Sequence, residues 1–231
     1  MKYLLDTADL EAIRSCSDIF PISGVSTNPS IVKAFFAKSE KKPDFFAHMN
    51  AIRAVIGQEK ALHIQVTASD KDGMMRDADA ILSRVDDQVC VKVPVTIEGL
   101  PVIRALKKQN VTVTATAVYG KTQAFLALEA GADYIAPYYN RMENMGLDSD
   151  GVIASIAQMI GEYDYPTQIL AASFKNVGQV ERAFEAGAQC ATMDPSILLA
   201  ALKQPYILSA VETFQNDWKT EFGDFTAAEL P

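Results

Sequence analysis

A single lysine interrupts an apolar, β-branched run of strand character, Val89-Cys90-Val91-Lys92-Val93-Pro94-Val95-Thr96. Because side chains alternate along a strand, Lys92 lies on the face opposite to Val91, Val93 and Val95. If the valines pack against helices, the lysine points into the interior that the strand helps to enclose. Burial lowers the pKa of a lysine and leaves a free amine that can form a Schiff base. The alternative, a lysine at a strand end with its ammonium in water, stays open from this run alone.

Length and composition exclude several classes of protein. The chain has 231 residues, 49% of them hydrophobic, which suits a single α/β barrel. A net charge of −8 gives no support for nucleic-acid binding. The N-terminal apolar run is too short for a signal peptide, and no stretch is long enough to span a membrane. We therefore expect a cytoplasmic protein that binds neither nucleic acid nor membrane.

The cysteines and histidines bear on the kind of site. The three cysteines (Cys16, Cys90, Cys190) form no CxxC pair, so we expect free, mostly buried thiols in a reducing compartment. Only two histidines, His48 and His63, are present, which argues against a zinc site and makes a histidine-based triad improbable. No cluster with metal-ligand spacing appears. We expect no metal and no cofactor.

The chain alternates between strand-like and helix-like segments. Alternating βα units indicate a parallel sheet, and eight of them indicate one closed (β/α)8 TIM barrel over residues 1–231. A doubly wound open sheet is disfavoured because no glycine-rich turn follows the first strand. Gly131 and Gly187 are expected to end two of the helices. The predicted strands cover residues 3–6, 24–28, 62–67, 89–96, 111–118, 134–138, 168–174 and 190–193.

Three connections carry local predictions. Ser30 can cap the helix that follows Pro29. The polar stretch Lys38 to Pro43 is expected to interrupt that helix. The stretch Asn140 to Asp150 is expected to be an exposed loop.

A C-terminal helical extension is predicted over residues 204–222. Ile207, Val211, Phe214 and Trp218 recur at helical spacing and form an apolar stripe. The stripe could pack across one end of its own barrel or against a neighbouring subunit. The sequence does not separate these two arrangements.

Polar residues stand at the carboxyl ends of seven predicted strands, where this fold carries its active site. Each has an ordinary explanation by itself, such as a turn, a strand former or a helix cap. Seven at equivalent positions around one barrel indicate a site. Asp6 or Tyr138 can transfer protons, while Gln65, Thr116 and Asn28 can hold a water and sugar hydroxyls. The seven are Asp6, Asn28, Gln65, Lys92, Thr116, Tyr138 and Ser173.

An anion site is indicated beyond the sixth and seventh strands. Arg141 follows the sixth strand, and Ser173 and Lys175 follow the seventh. Arginine binds phosphate well, and the start of the next helix supplies backbone N–H donors.

These residues lie within motifs that resemble the small transaldolase-like family, and within it the fructose-6-phosphate aldolase branch. The resemblance runs from Leu4 to about Phe222. Gln65 and Tyr138 resemble the aldolase branch, since transaldolases proper carry glutamate and tend to carry phenylalanine there. Ser26 keeps the hydroxyl of the expected threonine. The motifs are Leu5-Asp6-Thr7, Gly24-Val25-Ser26-Thr27-Asn28-Pro29-Ser30, Val91-Lys92-Val93-Pro94-Val95-Thr96, Thr116-Ala117-Val118-Tyr119, Ala136-Pro137-Tyr138-Tyr139-Asn140-Arg141 and Ala171-Ala172-Ser173-Phe174-Lys175.

The resemblance implies a class I aldolase that cleaves fructose 6-phosphate reversibly to dihydroxyacetone and glyceraldehyde 3-phosphate. It implies that Lys92 forms the Schiff base. Tyr138, Gln65, Thr116 and Asp6 complete the implied catalytic set. Substrate binding is implied for Asn28, Ser26, Arg141, Ser173 and Lys175.

Three other functions stay open. The first is a transaldolase that moves the dihydroxyacetone unit between sugar phosphates in the pentose phosphate pathway. The second is a phosphosugar isomerase or epimerase, and the third is a sugar-phosphate binder without catalysis. The resemblance also implies a homo-oligomer built on rings, a pentamer or a decamer.

Overall fold

The structure is a computed structural model that describes residues 1–37 and 43–230. Eight parallel strands form a closed barrel in chain order, with β8 hydrogen-bonded to β1. The predicted (β/α)8 TIM barrel is confirmed, as is the additional C-terminal helix. The strands are β1 (Lys2–Asp6), β2 (Ile22–Ser26), β3 (Ala61–Gln65), β4 (Cys90–Pro94), β5 (Val113–Val118), β6 (Tyr134–Pro137), β7 (Gln168–Ala171) and β8 (Cys190–Met193).

Helices follow the strands along the chain. Two compact units are distinguished, Met1–Pro195 and Ser196–Pro231, and the single domain over residues 1–231 stays a prediction. The helices are α1 (Leu10–Ile19), α2 (Pro29–Phe36), α3 (Phe45–Ile56), α4 (Lys71–Arg84), α5 (Gly99–Lys108), α6 (Lys121–Glu129), α7 (Tyr139–Asn144), α8 (Ser149–Glu162), α9 (Val177–Glu185), α10 (Pro195–Leu202) and α11 (Pro205–Phe222).

The second strand begins and ends two residues earlier than predicted. In the ladder, Ile22 is opposite Tyr3 and Ser26 is opposite Asp6, so pairing with β1 sets the bounds. Asn28 then caps α2 by accepting a hydrogen bond from the Ile31 amide at 3.0 Å. The prediction that Ser30 caps this helix is therefore wrong, because the helix already begins at the preceding proline.

The prediction of an exposed loop over residues 140–150 is wrong in its first half. Tyr139–Asn144 is the short helix α7, and the side chains of Tyr139 and Met142 are buried. Tertiary hydrogen bonds hold this helix, since the Tyr139 amide donates to the Ala172 carbonyl at 2.9 Å. The Ser149 hydroxyl donates to the Tyr139 carbonyl at 3.0 Å. A six-residue helix gives little periodicity, so its sequence resembles a loop.

The predictions for the helix-ending glycines and for the cysteines are confirmed, and the prediction for residues 38–43 lies mostly outside the described residues. Gly131 and Gly187 end their helices with positive φ angles of 86° and 105°, as predicted. All three cysteines are free and buried. Of the interruption predicted from Lys38 to Pro43, residues 38–42 lie outside the described residues.

The C-terminal helix α11 has the bounds expected of the predicted extension, apart from its first residue. Along the predicted apolar stripe, Val211, Phe214 and Trp218 are exposed in the isolated chain. Within residues 1–37 and 43–230, no helix is both long and apolar enough to cross a membrane.

The close approach of β2 to β3 generates a prediction for Gly24. A Cβ atom at this position would lie 2.4 Å from the Ala61 carbonyl oxygen, which is backbone and cannot move aside. We expect Gly24→Ala to destabilise the protein by about 2 kcal/mol or more. The control is Gly161→Ala in α8, where a Cβ meets nothing within 4 Å and where we expect a gain of about 0.5–1 kcal/mol. Urea unfolding at fixed protein concentration measures both; equal effects would contradict the prediction.

Candidate active site

Lys92 lies inside the barrel in the middle of β4. Its side chain is 4% exposed, and Val91 and Val93 on either side are fully buried. The Nζ atom donates a hydrogen bond to the Thr27 carbonyl oxygen at 2.8 Å. The alternative of a lysine that extends to water therefore does not apply. Burial lowers the pKa of Lys92, and the charge of Asp6 opposes that shift.

Asp6, at the end of β1, is the acidic residue whose charge acts on Lys92. Burial raises the pKa of Asp6, and the charge of Lys92 opposes the shift most strongly. A hydrogen bond from Ser26 and the charge of Arg141 also lower this pKa, whereas the charge of Asp194 raises it. Burial therefore favours the neutral form of both Lys92 and Asp6, and the attraction between them favours the charged forms.

Ser26 lies behind Asp6 and is fully buried. Its hydroxyl donates to Asp6 Oδ1 at 2.6 Å and lies 2.8 Å from the Thr192 hydroxyl on β8. Thr192, which the sequence analysis did not single out, is thereby connected to Asp6 through Ser26. It stands inside a short apolar strand, where a threonine is an ordinary strand former.

Thr116 and Tyr138 meet between the ends of β5 and β6. Their hydroxyl oxygens are 3.0 Å apart, and Thr116 is fully buried. Burial raises the pKa of Tyr138, with the hydrogen bond to Thr116 opposing the shift. Tyr138 is therefore protonated near neutral pH and can donate a proton or a hydrogen bond. Ala117 takes a left-handed φ of 56° where the ladder to β6 shifts register, a backbone strain next to this pair.

Arg141, the third residue of α7, lies against Tyr138 and is exposed. Its guanidinium carbon is 4.9 Å from the centre of the Tyr138 ring. Its Nη1 donates to the Tyr119 hydroxyl at 3.1 Å. The cation therefore stands at the mouth of the barrel, beside the ring of Tyr138.

Ser173 lies next to this helix through its backbone. Its φ is 66°, a left-handed conformation, and its carbonyl accepts a hydrogen bond from the Asn140 amide at 3.0 Å. The helix α9 is capped by Asn176 and not by Ser173. Capping therefore does not explain the Ser173 side chain. Lys175 is exposed, and its backbone amide donates a hydrogen bond to Gln179 Oε1 at 2.7 Å.

Two residues that sequence reasoning missed join α7 to α9. Gln179 is 4% exposed, and its Nε2 donates to Asn140 Oδ1 at 3.0 Å. Arg182 donates to the Tyr139 hydroxyl at 2.9 Å and to Glu143 at 2.9 Å. These bonds connect the element that carries Arg141 to the segment that carries Ser173 and Lys175. No sequence pattern marks either residue, because both read as ordinary polar positions of a helix.

Gln65 ends β3 directly opposite Lys92 in the strand register. Gln65 and Asn28 both line a cavity of about 500 Å³ whose other walls are largely apolar, among them Val32, Phe36 and Phe45. The Asn28 carboxamide oxygen is occupied by its role as helix cap. Helix capping, the ordinary role of an asparagine at this position, therefore explains the hydrogen bond of that oxygen.

His63 on β3 and Thr114 on β5 form a buried polar pair, each two residues before a candidate site residue of its strand. Both are fully buried, with His63 Nδ1 2.8 Å from the Thr114 hydroxyl oxygen. Burial and the charges of Lys92 and Arg53 lower the pKa of His63 to about 3, so the imidazole is neutral. Its Nε2 has no hydrogen-bond partner among residues 1–37 and 43–230. Across the same part of the chain, no group of three or more His, Cys, Asp or Glu residues is arranged to hold a metal ion.

Comparison with known proteins gives matches over nearly the whole chain. Residues 3–228 match the family described as transaldolase/fructose-6-phosphate aldolase. A protein of Streptococcus pneumoniae named probable fructose-6-phosphate aldolase is 44% identical over 218 residues, which cover 94% of this chain and 96% of that protein. The chain therefore belongs to the transaldolase/fructose-6-phosphate aldolase family of enzymes.

Proposed function

We propose that the protein is a class I aldolase that reversibly cleaves fructose 6-phosphate to dihydroxyacetone and glyceraldehyde 3-phosphate. The observation that carries the proposal is the buried amine of Lys92, held at 2.8 Å from a backbone carbonyl in the barrel interior. Desolvation favours the neutral amine, which is the nucleophile that Schiff-base chemistry needs.

The reaction follows from that amine. Lys92 attacks the C2 carbonyl of the ketose phosphate, and loss of water leaves an iminium. The iminium accepts the electron pair of the C3–C4 bond when the C4 hydroxyl gives up its proton. Glyceraldehyde 3-phosphate leaves, and an enamine of dihydroxyacetone stays on Lys92. Protonation at C3 and addition of water then release dihydroxyacetone and the free amine.

Tyr138 is proposed to move protons during imine formation and hydrolysis, with a water held by Gln65 and Thr116. Support comes from the 3.0 Å contact between the Thr116 and Tyr138 hydroxyls and from the raised pKa of Tyr138. Asp6 and Asn28 are proposed to orient the hydroxyls of the three-carbon unit. Asp6 is also a candidate base for the C4 hydroxyl, since its charge is coupled to that of Lys92.

The phosphate group is proposed to bind between α7 and α9. Arg141 supplies a cation at the barrel mouth, and Ser173 and Lys175 lie on the segment that leads into α9. The backbone N–H groups at the start of α9 add donors. Support comes from the hydrogen bonds through Gln179 that tie this segment to α7.

The alternative is a transaldolase, in which the enamine on Lys92 adds to a second aldose phosphate instead of being hydrolysed. The family contains both activities. The residues Gln65 and Tyr138 favour the aldolase, because transaldolases proper carry a glutamate at the first of these positions and tend to carry a phenylalanine at the second.

A cytoplasmic homo-oligomer is proposed, as a pentamer or decamer. The three free, buried cysteines are typical of a reducing compartment. The exposed apolar side chains of α11 provide a surface suited to contact with another subunit. Sedimentation of the full chain as a monomer would contradict the oligomer.

The proposed Schiff base predicts a trapped adduct on one lysine. With borohydride and either dihydroxyacetone or fructose 6-phosphate, we expect a reduced three-carbon adduct that intact mass detects and peptide mapping places on Lys92. Lys92→Met should abolish the adduct and the activity, while Lys108→Met, at an exposed position of α5, should change neither. Absence of an adduct under turnover would favour an isomerase or a non-catalytic binder. Cleavage of fructose 6-phosphate without an added acceptor then separates aldolase from transaldolase.

The proposed role of Tyr138 predicts a difference between hydrolysis and transfer. We expect Tyr138→Phe to slow release of dihydroxyacetone by roughly 100-fold, the scale of general acid–base catalysis, and to slow transfer to an added aldehyde much less. Thr116→Val, which keeps the shape but removes the hydroxyl that contacts Tyr138, should act in the same direction more weakly. Equal losses in both reactions would rule out this assignment.

The proposed phosphate site predicts selectivity between aldehydes. We expect Arg141→Ala to raise KM for glyceraldehyde 3-phosphate by roughly tenfold or more, because a charge-assisted bond is lost. KM for unphosphorylated glyceraldehyde should change little. Tyr119→Phe is the control, because it removes the hydroxyl that Arg141 contacts but keeps the guanidinium of Arg141 itself. If KM rises equally for both aldehydes in Arg141→Ala, the arginine does not bind the phosphate.

A further inference from the structure

A chain of two buried hydroxyls leads away from Asp6 across the closure of the barrel. Strand β1 is paired on one side with β2 and on the other with β8. Ser26 is opposite Asp6 in the first ladder, and Thr192 is on β8 in the second. Ser26 is fully buried and Thr192 is 1% exposed. Neither hydroxyl therefore has bulk water as an alternative partner.

With Asp6 as a carboxylate, the hydrogen bonds of this chain have a fixed direction. The carboxylate only accepts, so Ser26 donates to it over the 2.6 Å contact. Ser26 has a single hydroxyl proton, and that proton is used on Asp6. In the 2.8 Å contact with Thr192, Ser26 must therefore accept and Thr192 must donate. The order of donation is Thr192 to Ser26 to Asp6.

Asp6 is surrounded by charged and titratable groups from several elements. Lys92 of β4 and Arg141 of α7 favour its carboxylate, and Asp194, just after β8, disfavours it. Tyr138, after β6, is also coupled to its charge. Burial works against the carboxylate, and the hydrogen bond from Ser26 stabilises it. A donor to the Ser26 oxygen polarises its O–H group and strengthens that bond.

We propose that Thr192 is a positioning residue of the active site, which acts through Ser26 to orient Asp6 and to hold it as a carboxylate. The inference deepens the proposed function, since it rests on the role of Asp6 given above. In this proposal, Ser26 orients Asp6 through the hydrogen bond that it donates to the carboxylate. Strand β8 thereby contributes Thr192 to the active site, although none of the site residues expected from the sequence lies on β8.

The test compares variants that keep or remove the hydroxyl at position 192. Thr192→Val removes the donor at nearly constant shape, and Thr192→Ser retains it. The readout is the infrared carboxyl stretch of Asp6 as a function of pH, identified by its absence in Asp6→Asn. Because loss of a donor destabilises the carboxylate, we expect Thr192→Val to move this titration upward by about half a pH unit. Thr192→Ser should leave it unchanged, and Ser26→Ala should move it further, by roughly one unit or more.

The outcomes separate this inference from the function itself. An unchanged titration in Thr192→Val overturns the role of Thr192, whatever the activity. Borohydride trapping on Lys92 in the unsubstituted protein tests the function independently of Thr192. If Thr192→Val does not fold, Thr192→Ala also lacks the hydroxyl and is expected to shift the titration in the same direction. A shift that Thr192→Ser shows equally would mean that packing, and not the hydroxyl, is responsible, which also overturns the proposal.

Discussion

The burial of one lysine inside a closed barrel is the constraint on which the rest of the site depends. An ammonium out of water is unfavourable, so Lys92 is stable there only as a neutral amine or beside compensating groups. Low exposure favours the neutral amine, while the Thr27 carbonyl and the charge of Asp6 are the compensating groups. The same desolvation that makes the position costly makes the amine a nucleophile, so stability and chemistry oppose each other at this residue.

Burial also disfavours the charged form of Asp6, and neighbouring groups act on its pKa in both directions. Burial and Asp194 disfavour its charge, while Lys92, Arg141 and the Ser26 hydroxyl favour it. Each contribution comes from a different element of the barrel. The protonation of Asp6 therefore depends on closure of the whole sheet, which brings β8 beside β1. A change in the charge of Asp6 also acts on Lys92, because the charge of Asp6 raises the pKa of that lysine.

The outer rim of the site depends on bonds between helices more than on any one loop. Short helices are marginal by themselves, and α7 has six residues. Its position follows from backbone bonds to the end of β7 and from Arg182, Glu143 and Gln179. Arg141 is thereby held over Tyr138 on a short helix. The rim can present a cation to an anionic substrate without spending the entropy of ordering a free loop.

Local patterns in the sequence determined the eight βα units, the separation of Lys92 from the valine face of its strand, and the positions of Asp6 and Tyr138 at strand ends. These follow from side-chain alternation and from the rule that parallel strands end at one face. The tertiary structure alone decided the Thr192–Ser26 contact and the helical state of α7. Each of these arises from hydrogen bonds between segments distant in sequence or from the exact register of a strand. Periodicity reports which face of a segment is apolar, but it contains no information about which neighbour a buried hydroxyl meets when the barrel closes.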